Sequence, residues 1–331
     1  MSEACRTEFG GVPMSLLRGC RALLMLLLMW PLTWPQAVCA TSAAAIADDD
    51  GSAQWRLRFS REVDRRLDVP VDQQLRYVGL LDAALSVAGL SDLRSQAVLL
   101  VDRSVNVQAA FLIVRTGEQG WTWLGASPVS TGRVGSFDHF ETPLGVFAHS
   151  LENPDFRAEG TFNRNRIRGY GLRGMRVYDF GWTQALRGWG DGGQSTMRLQ
   201  MHATDPDTLE PRLGRAESKG CIRIPATLNV FLDRYGLLDA DYEQAVAAGR
   251  SLWVLRPDRQ PVPWAGRYLV IVDSLAAERP AWAPLPGAQS AVPGVKPPVP
   301  GAEPAVPGAK PPVPSAPASP VGVSSPGAAA C

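Results

Sequence analysis

His202 and Cys221, 19 residues apart, are the residues of this chain best equipped for covalent chemistry. They stand in Met201-His202-Ala203-Thr204 and Ser218-Lys219-Gly220-Cys221-Ile222-Arg223. A thiol near its free pKa is only a few per cent thiolate at neutral pH, so a nucleophilic cysteine needs a neighbouring base, and imidazole titrates in the right range. The connection between them contains Pro and Gly, which lets the chain fold back. Gly220, lacking a Cβ, permits a tight turn in which the amides of Lys219, Gly220 and Cys221 converge on one oxygen as an oxyanion hole. Ser218 is placed to hydrogen-bond that loop or the imidazole. Arg223 adds a fixed positive charge that favours the thiolate and suits a substrate carboxylate. A bare His…Cys pair is more often accident than site, so spacing alone leaves the assignment open.

These residues need a scaffold. Residues 60–90 are expected to be helical: a segment opens after Pro70, and Leu75, Val78, Leu81 and Leu85 recur at helical spacing before Gly89. One or two helices should therefore pack on the unit that follows. The texture changes at Gln96. Residues 97–101 form a β-type run, Asp102-Arg103-Ser104 a turn, and residues 105–114 the second arm of a hairpin. Residues 121–129 and 142–147 continue the pattern, and 198–202 alternate like a strand that ends at the histidine. Residues 227–235 read as a short amphipathic helix closed by Gly236, with late strands at 251–255 and 267–272. Many short strands and few helices predict a mainly β catalytic domain over 96–275, preceded by a linker and helical segment over 41–95.

His202-x-Thr204 followed by Ser218-x-Gly220-Cys221-Ile222-Arg223 resembles the signature of the L,D-transpeptidase (YkuD-type) catalytic domain, H-G-[TS] and then S-H-G-C-[ILV]-[RN]. The resemblance extends to Val101-Asp102-Arg103, Ser130-Thr131-Gly132 and Thr142-Pro143-Leu144-Gly145-Val146-Phe147, covering roughly half the chain in the right order. It implies a β-sandwich fold with short helices, Cys221 as nucleophile and His202 as its general base and acid. Ser218, Lys219, Gly220 and Arg223 become supporting residues. The implied reaction is acyl transfer from a peptidoglycan tetrapeptide stem, with release of D-alanine through a Cys221 thioester. The acyl group passes to an amine of a second stem or of an envelope protein, with no metal and no organic cofactor. A wall hydrolase of the same fold, or a decayed wall-binding protein, are the alternatives. Two departures stand out: Lys219 replaces the family's second histidine, and Ala203 replaces a glycine, adding a methyl that is expected to narrow the pocket.

Both ends differ from the middle. Arg18 and Arg21 precede an apolar run over residues 22–30, Pro31 and Pro35 follow, and Val38-Cys39-Ala40 offers small residues for cleavage. That pattern predicts a signal peptide over 1–40, with contact to a membrane only through that segment, and export to the periplasm or cell wall. The run is shorter than the about 20 residues of a transmembrane helix. Of the five cysteines, cleavage would leave Cys221 and Cys331. Residues 276–331 are expected to form a disordered Pro/Ala/Gly-rich tail with an internal repeat of a polyproline type. A net charge of +1 gives no electrostatic case for nucleic acid.

Other features carry less. The arginines between Arg157 and Arg176 suit either stem-peptide carboxylates or a solvated loop with acids such as Asp155. Trp182 and Trp189 suit a lid or a core, and Asp205-Pro206-Asp207 reads as a turn, not a metal site. A sortase would need wider spacing of Cys, His and Arg, and a papain-like peptidase the reverse order of Cys and His.

Overall fold

The computed structural model describes residues 50–115 and 120–287. The expected signal peptide, the cysteines other than Cys221, and the Pro-rich repeats lie outside the described residues. The element order is α1 (Asp50–Glu62), α2 (Val71–Val87), β1 (Gln96–Asp102), β2 (Ala109–Arg115), β3 (Trp121–Pro128), β4 (Gly145–Ala148), β5 (Phe156–Arg157), β6 (Arg176–Leu186), β7 (Gln194–Ala203), β8 (Ile222–Ile224), α3 (Ala226–Tyr235), α4 (Ala240–Ala247) and β9 (Tyr268–Val272). The protein is sheet-rich with few helices, as the patterning predicts.

One sheet has the order β3-β2-β1-β9-β4, the other β5-β6-β7-β8. β1, β2 and β9 are apolar at nearly every position because both of their faces are covered. Leu99, Val101, Leu112 and Ile271 enter one core, while Val98, Leu100, Phe111 and Val270 enter another. The first core is shared with Leu199, Met201, Ile222 and Ile224 of the second sheet and with Phe231 of α3, so the two sheets and α3 bury one another's apolar sides. The second core is closed by α2 through Tyr77, Leu81 and Leu85. Leu75, expected on that stripe, is exposed. α1 adds Phe59, whose ring lies where a Cβ on Gly125 would be, 2.3 Å away. α3 ends where Gly236 adopts a left-handed φ of 57°, a conformation that costs other residues more.

Three expectations are corrected. Residues 251–255 form turns, not a strand: Leu252, Val254 and Leu255 pack on Tyr242 without joining a ladder. β6, the longest strand, covers residues for which the patterning predicts no strand. The fold also continues past residue 275, because Trp282 packs on the Tyr77–Phe111 core, with ring centroids 5.9 and 6.0 Å away, and Ala283 is buried.

Candidate active site

Strand alternation explains how His202 and Cys221 come together. In β7, Met197, Leu199 and Met201 face the shared core, which turns Arg198, Gln200 and His202 to the other face. In β8, Ile222 and Ile224 face the same core, so Arg223 and, just before the strand, Cys221 turn away from it. β8 runs parallel to β7 with Met201 opposite Ile222 and His202 opposite Arg223. The parallel register therefore places His202, Cys221 and Arg223 on one face of two neighbouring strands.

The turn before Cys221 is held from several sides. The Ser218 hydroxyl donates to the Cys221 carbonyl and accepts the Gly220 N–H at 3.0 Å. Thr142 Oγ1 donates to the Gly220 carbonyl at 2.7 Å and accepts the Gly132 N–H at 2.8 Å. Residues 130–133 run along this turn: Ser130 and Arg223 exchange two backbone bonds, and the Ser218 N–H donates to Thr131 at 2.9 Å. Gln108 anchors that segment, accepting the Thr131 N–H at 2.8 Å. Gly220 has φ +130°, and a Cβ there would meet Met197 at 2.8 Å. One expectation fails: the Gly220 amide is committed to Ser218, so the converging set of three amides is not formed.

His202 is buried, and its Nδ1–H donates to the Ala203 carbonyl at 2.7 Å. That bond leaves Nε2 as the proton-accepting nitrogen, and Nε2 has no hydrogen-bond partner among the described residues. Burial, reinforced by the nearby Arg223 charge, lowers the His202 pKa to about 4, so the imidazole is neutral around pH 7. Cys221 is buried too, with its sulfur 3.8 Å from the Arg198 carbonyl oxygen. The sulfur stands in the disulfide form, so thiolate chemistry at this position follows reduction. Arg223 donates to the Glu217 carbonyl at 3.4 Å and forms no carboxylate ion pair among the described residues.

The two departures from the family pattern are placed. Lys219 forms an ion pair with Asp138 and is partly exposed. Ala203 is buried and its methyl lies 2.8 Å from the Cβ position of Gly171, so it presses on the loop whose neighbouring Tyr170 lies against His202.

Sequence reasoning missed the surroundings of His202. Tyr170 meets the imidazole edge-on at 4.6 Å, and its hydroxyl donates to Gln200 Oε1 at 3.3 Å. Asp179 accepts Gln200 Nε2 at 2.8 Å and Arg198 Nε at 2.7 Å. Gln200 was legible, since it alternates with His202 on one strand. Tyr170 and Asp179 arrive from β6 and the loop before it, where no pattern in the sequence points to the site. Trp182 is exposed beneath Arg198, whereas Trp189 packs on Phe140. His139 bonds the Phe137 carbonyl, and His149 belongs to a separate buried cluster. Asp205 accepts the amides of Asp207 and Thr208 as a turn. Among the described residues no group of acidic, His and Cys side chains could hold a metal ion.

In comparisons with known proteins, no protein-family model matches the chain and no curated protein matches it.

Proposed function

We propose that the chain is an exported cysteine acyltransferase of the L,D-transpeptidase type, acting on peptidoglycan stem peptides in the periplasm or cell wall. The observation that carries this is the β7–β8 register, which puts the His202 imidazole, with Nε2 unpartnered among the described residues, on the same face as Cys221 and Arg223. The signature resemblance supplies the substrate class. Ser218, Gly220 and Thr142 hold the turn that presents Cys221.

The chemistry runs in two steps. His202 Nε2 takes the thiol proton, and the thiolate attacks the carbonyl before the terminal D-alanine. The amide C–N bond breaks, D-alanine leaves with the proton from His202, and a thioester remains. An amine from a second stem or an envelope protein then attacks the thioester, gives its proton to His202, and the C–S bond breaks as the sulfur recovers a proton. The product is a cross-link between the third residues of two stems, or a protein joined to the wall. A histidine buried to a pKa of about 4 is a weak base, and its pKa rises as a thiolate forms beside it, so the two titrate as a pair. Arg223, on the same face as His202, would supply the charge that binds the substrate carboxylate.

Intact mass of the reduced protein with a carbapenem, beside Cys221→Ala, tests this. A covalent adduct on the parent chain alone supports it. An unmodified parent whose Cys221 is still labelled by a general thiol reagent overturns it.

A further inference from the structure

Five buried ionisable groups, His149, Asp155, Asp233, Asp239 and Arg176, cluster with the partly buried Arg157 without contributing to the site above. Arg176 is fully buried and forms two parallel bonds to Asp239, at 3.0 and 2.9 Å. It also donates to Asp155 at 2.6 Å and Asp233 at 3.3 Å. Arg157 grips Asp233 with bonds of 2.8 and 3.1 Å. The segment between Arg157 and Arg176, which suits either a carboxylate-binding or a solvated loop by sequence, is thus tied to the interior at both of its ends.

His149 decides the charge of this cluster. Its Nδ1 lies 2.8 Å from the Leu238 carbonyl, and its Nε2 lies 2.9 Å from both Asp155 oxygens. A carbonyl can only accept, so Nδ1 carries a proton. Asp155 already receives Arg176 and the Asp179 N–H, which holds it ionised, so Nε2 carries a proton as well. The ring is then an imidazolium, and three cations face three carboxylates; burial raises the Asp239 pKa, against which the two Arg176 bonds and His149 favour its ionised form. Without that second proton the cluster would hold an uncompensated buried negative charge. The remaining neighbours agree: Tyr242 stacks on the ring at 4.8 Å and 11°, Tyr178 and Phe180 meet it from β6, and Asp239 lies 3.7 Å from Nδ1. Burial works against the charged ring, but Asp155 and then Asp239 outweigh it and raise the His149 pKa above that of an ordinary histidine.

The position of the cluster gives it a consequence. β5 and the start of β6 pair through Arg157 and Arg176, so the cluster grips both ends of loop 158–175. That loop carries Tyr170, which lies against His202, and Gly171, which lies against Ala203. Its ends are tied to α3 through Asp233 and to the start of α4 through Asp239.

We propose that His149 is a proton-dependent clamp on the loop that covers His202: protonated, it completes the charge balance that fixes both loop ends, and deprotonated, it lets the loop loosen. His149 is a positioning residue, acting through Asp155, Arg176 and Tyr170. The proposal rests on the geometry around His202 and not on the acyl-transfer reading.

The test uses the reduced full chain and requires no substrate. Ring nitrogen NMR of the three histidines reports the His149 protonation state as pH is raised, and hydrogen exchange is followed over the same range for loop 158–175 and for β1–β2 as reference. The expected result is an imidazolium with two protected ring N–H groups at pH 7. Exchange in the loop should accelerate at least about tenfold as His149 titrates, beyond the base-catalysed rise shared by β1–β2. His149→Gln should show the faster loop at all pH values if it folds; the parent titration decides the matter if it does not. A neutral His149 at pH 7, or a loop that stays as protected as β1–β2 through the titration, overturns the proposal.

Discussion

The Thr142 hydroxyl donates to the Gly220 carbonyl across 78 residues of sequence while accepting the Gly132 N–H. One buried side chain thereby joins the segment before β4, residues 130–133 and the turn that presents Cys221. Thr142→Val keeps the shape and removes both bonds, leaving two buried backbone groups unpaired at about 1–3 kcal/mol each. Urea denaturation should show that loss, and Thr142→Ser should recover most of it. Acylation of Cys221 by a carbapenem should slow in the valine variant even where it is fully folded.

Gly132 is needed for space. A Cβ there would lie 1.9 Å from the Phe140 carbonyl oxygen and 3.0 Å from the Gly220 Cα, both backbone atoms that cannot turn aside. Gly132→Ala should lower the denaturation midpoint sharply or prevent soluble expression. Gly79 in α2 meets nothing within 4 Å, so Gly79→Ala should stabilise by about 0.5–1 kcal/mol. Equal effects at the two positions would contradict this packing.

His202 gives the fold an acid-side weakness. Its folded pKa of about 4 lies below the unfolded value of 6.5, so below pH 6.5 the unfolded chain takes up a proton that the folded chain refuses. Stability from this group is fully present above pH 6.5 and is lost as pH falls towards 4, by an amount on the order of 3 kcal/mol. Denaturation midpoints across that range should fall less steeply for His202→Asn than for the parent. Arg223→Met removes a charge that lowers this pKa, so NMR titration should find His202 shifted upward in that variant.

Lys219 stands where the family signature has a second histidine, and its ion pair with Asp138 is partly open to solvent. Such pairs contribute about 0–1 kcal/mol. Lys219→Ala should therefore change the denaturation free energy by no more than that, with a similarly small change for Asp138→Ala. A loss of several kcal/mol would show that the pair is structural.

The β-rich scaffold was legible because its signals are local. The runs expected at 97–101, 105–114 and 267–272 contain β1, β2 and β9 or most of them, and the helical spacing after Pro70 became α2. β6 was not legible. Arg176, Asp179 and Trp182 interrupt its apolar character, and the strand tolerates them only because Asp239 and Asp155 neutralise Arg176 while Arg198 and Gln200 engage Asp179. Residues 251–255 show the converse, an apolar run with no edge to join.

By itself the sequence pointed to the candidate chemistry: Cys221 as candidate nucleophile, His202 as the histidine placed to serve it, and Gly220 in the turn between the strands. Only the tertiary structure decided which groups meet. The β7–β8 register brings His202 to the face that carries Cys221, Ser218 takes up the Gly220 amide that was expected to bind an oxyanion, and Tyr170 closes over the imidazole. The physical reason is that a residue's type sets the chemistry available to it, whereas its protonation and its partners depend on burial and on charges from distant segments. His202 and His149 are the same side chain, both buried: one is held neutral beside Arg223, and the other is charged between Asp155 and a carbonyl.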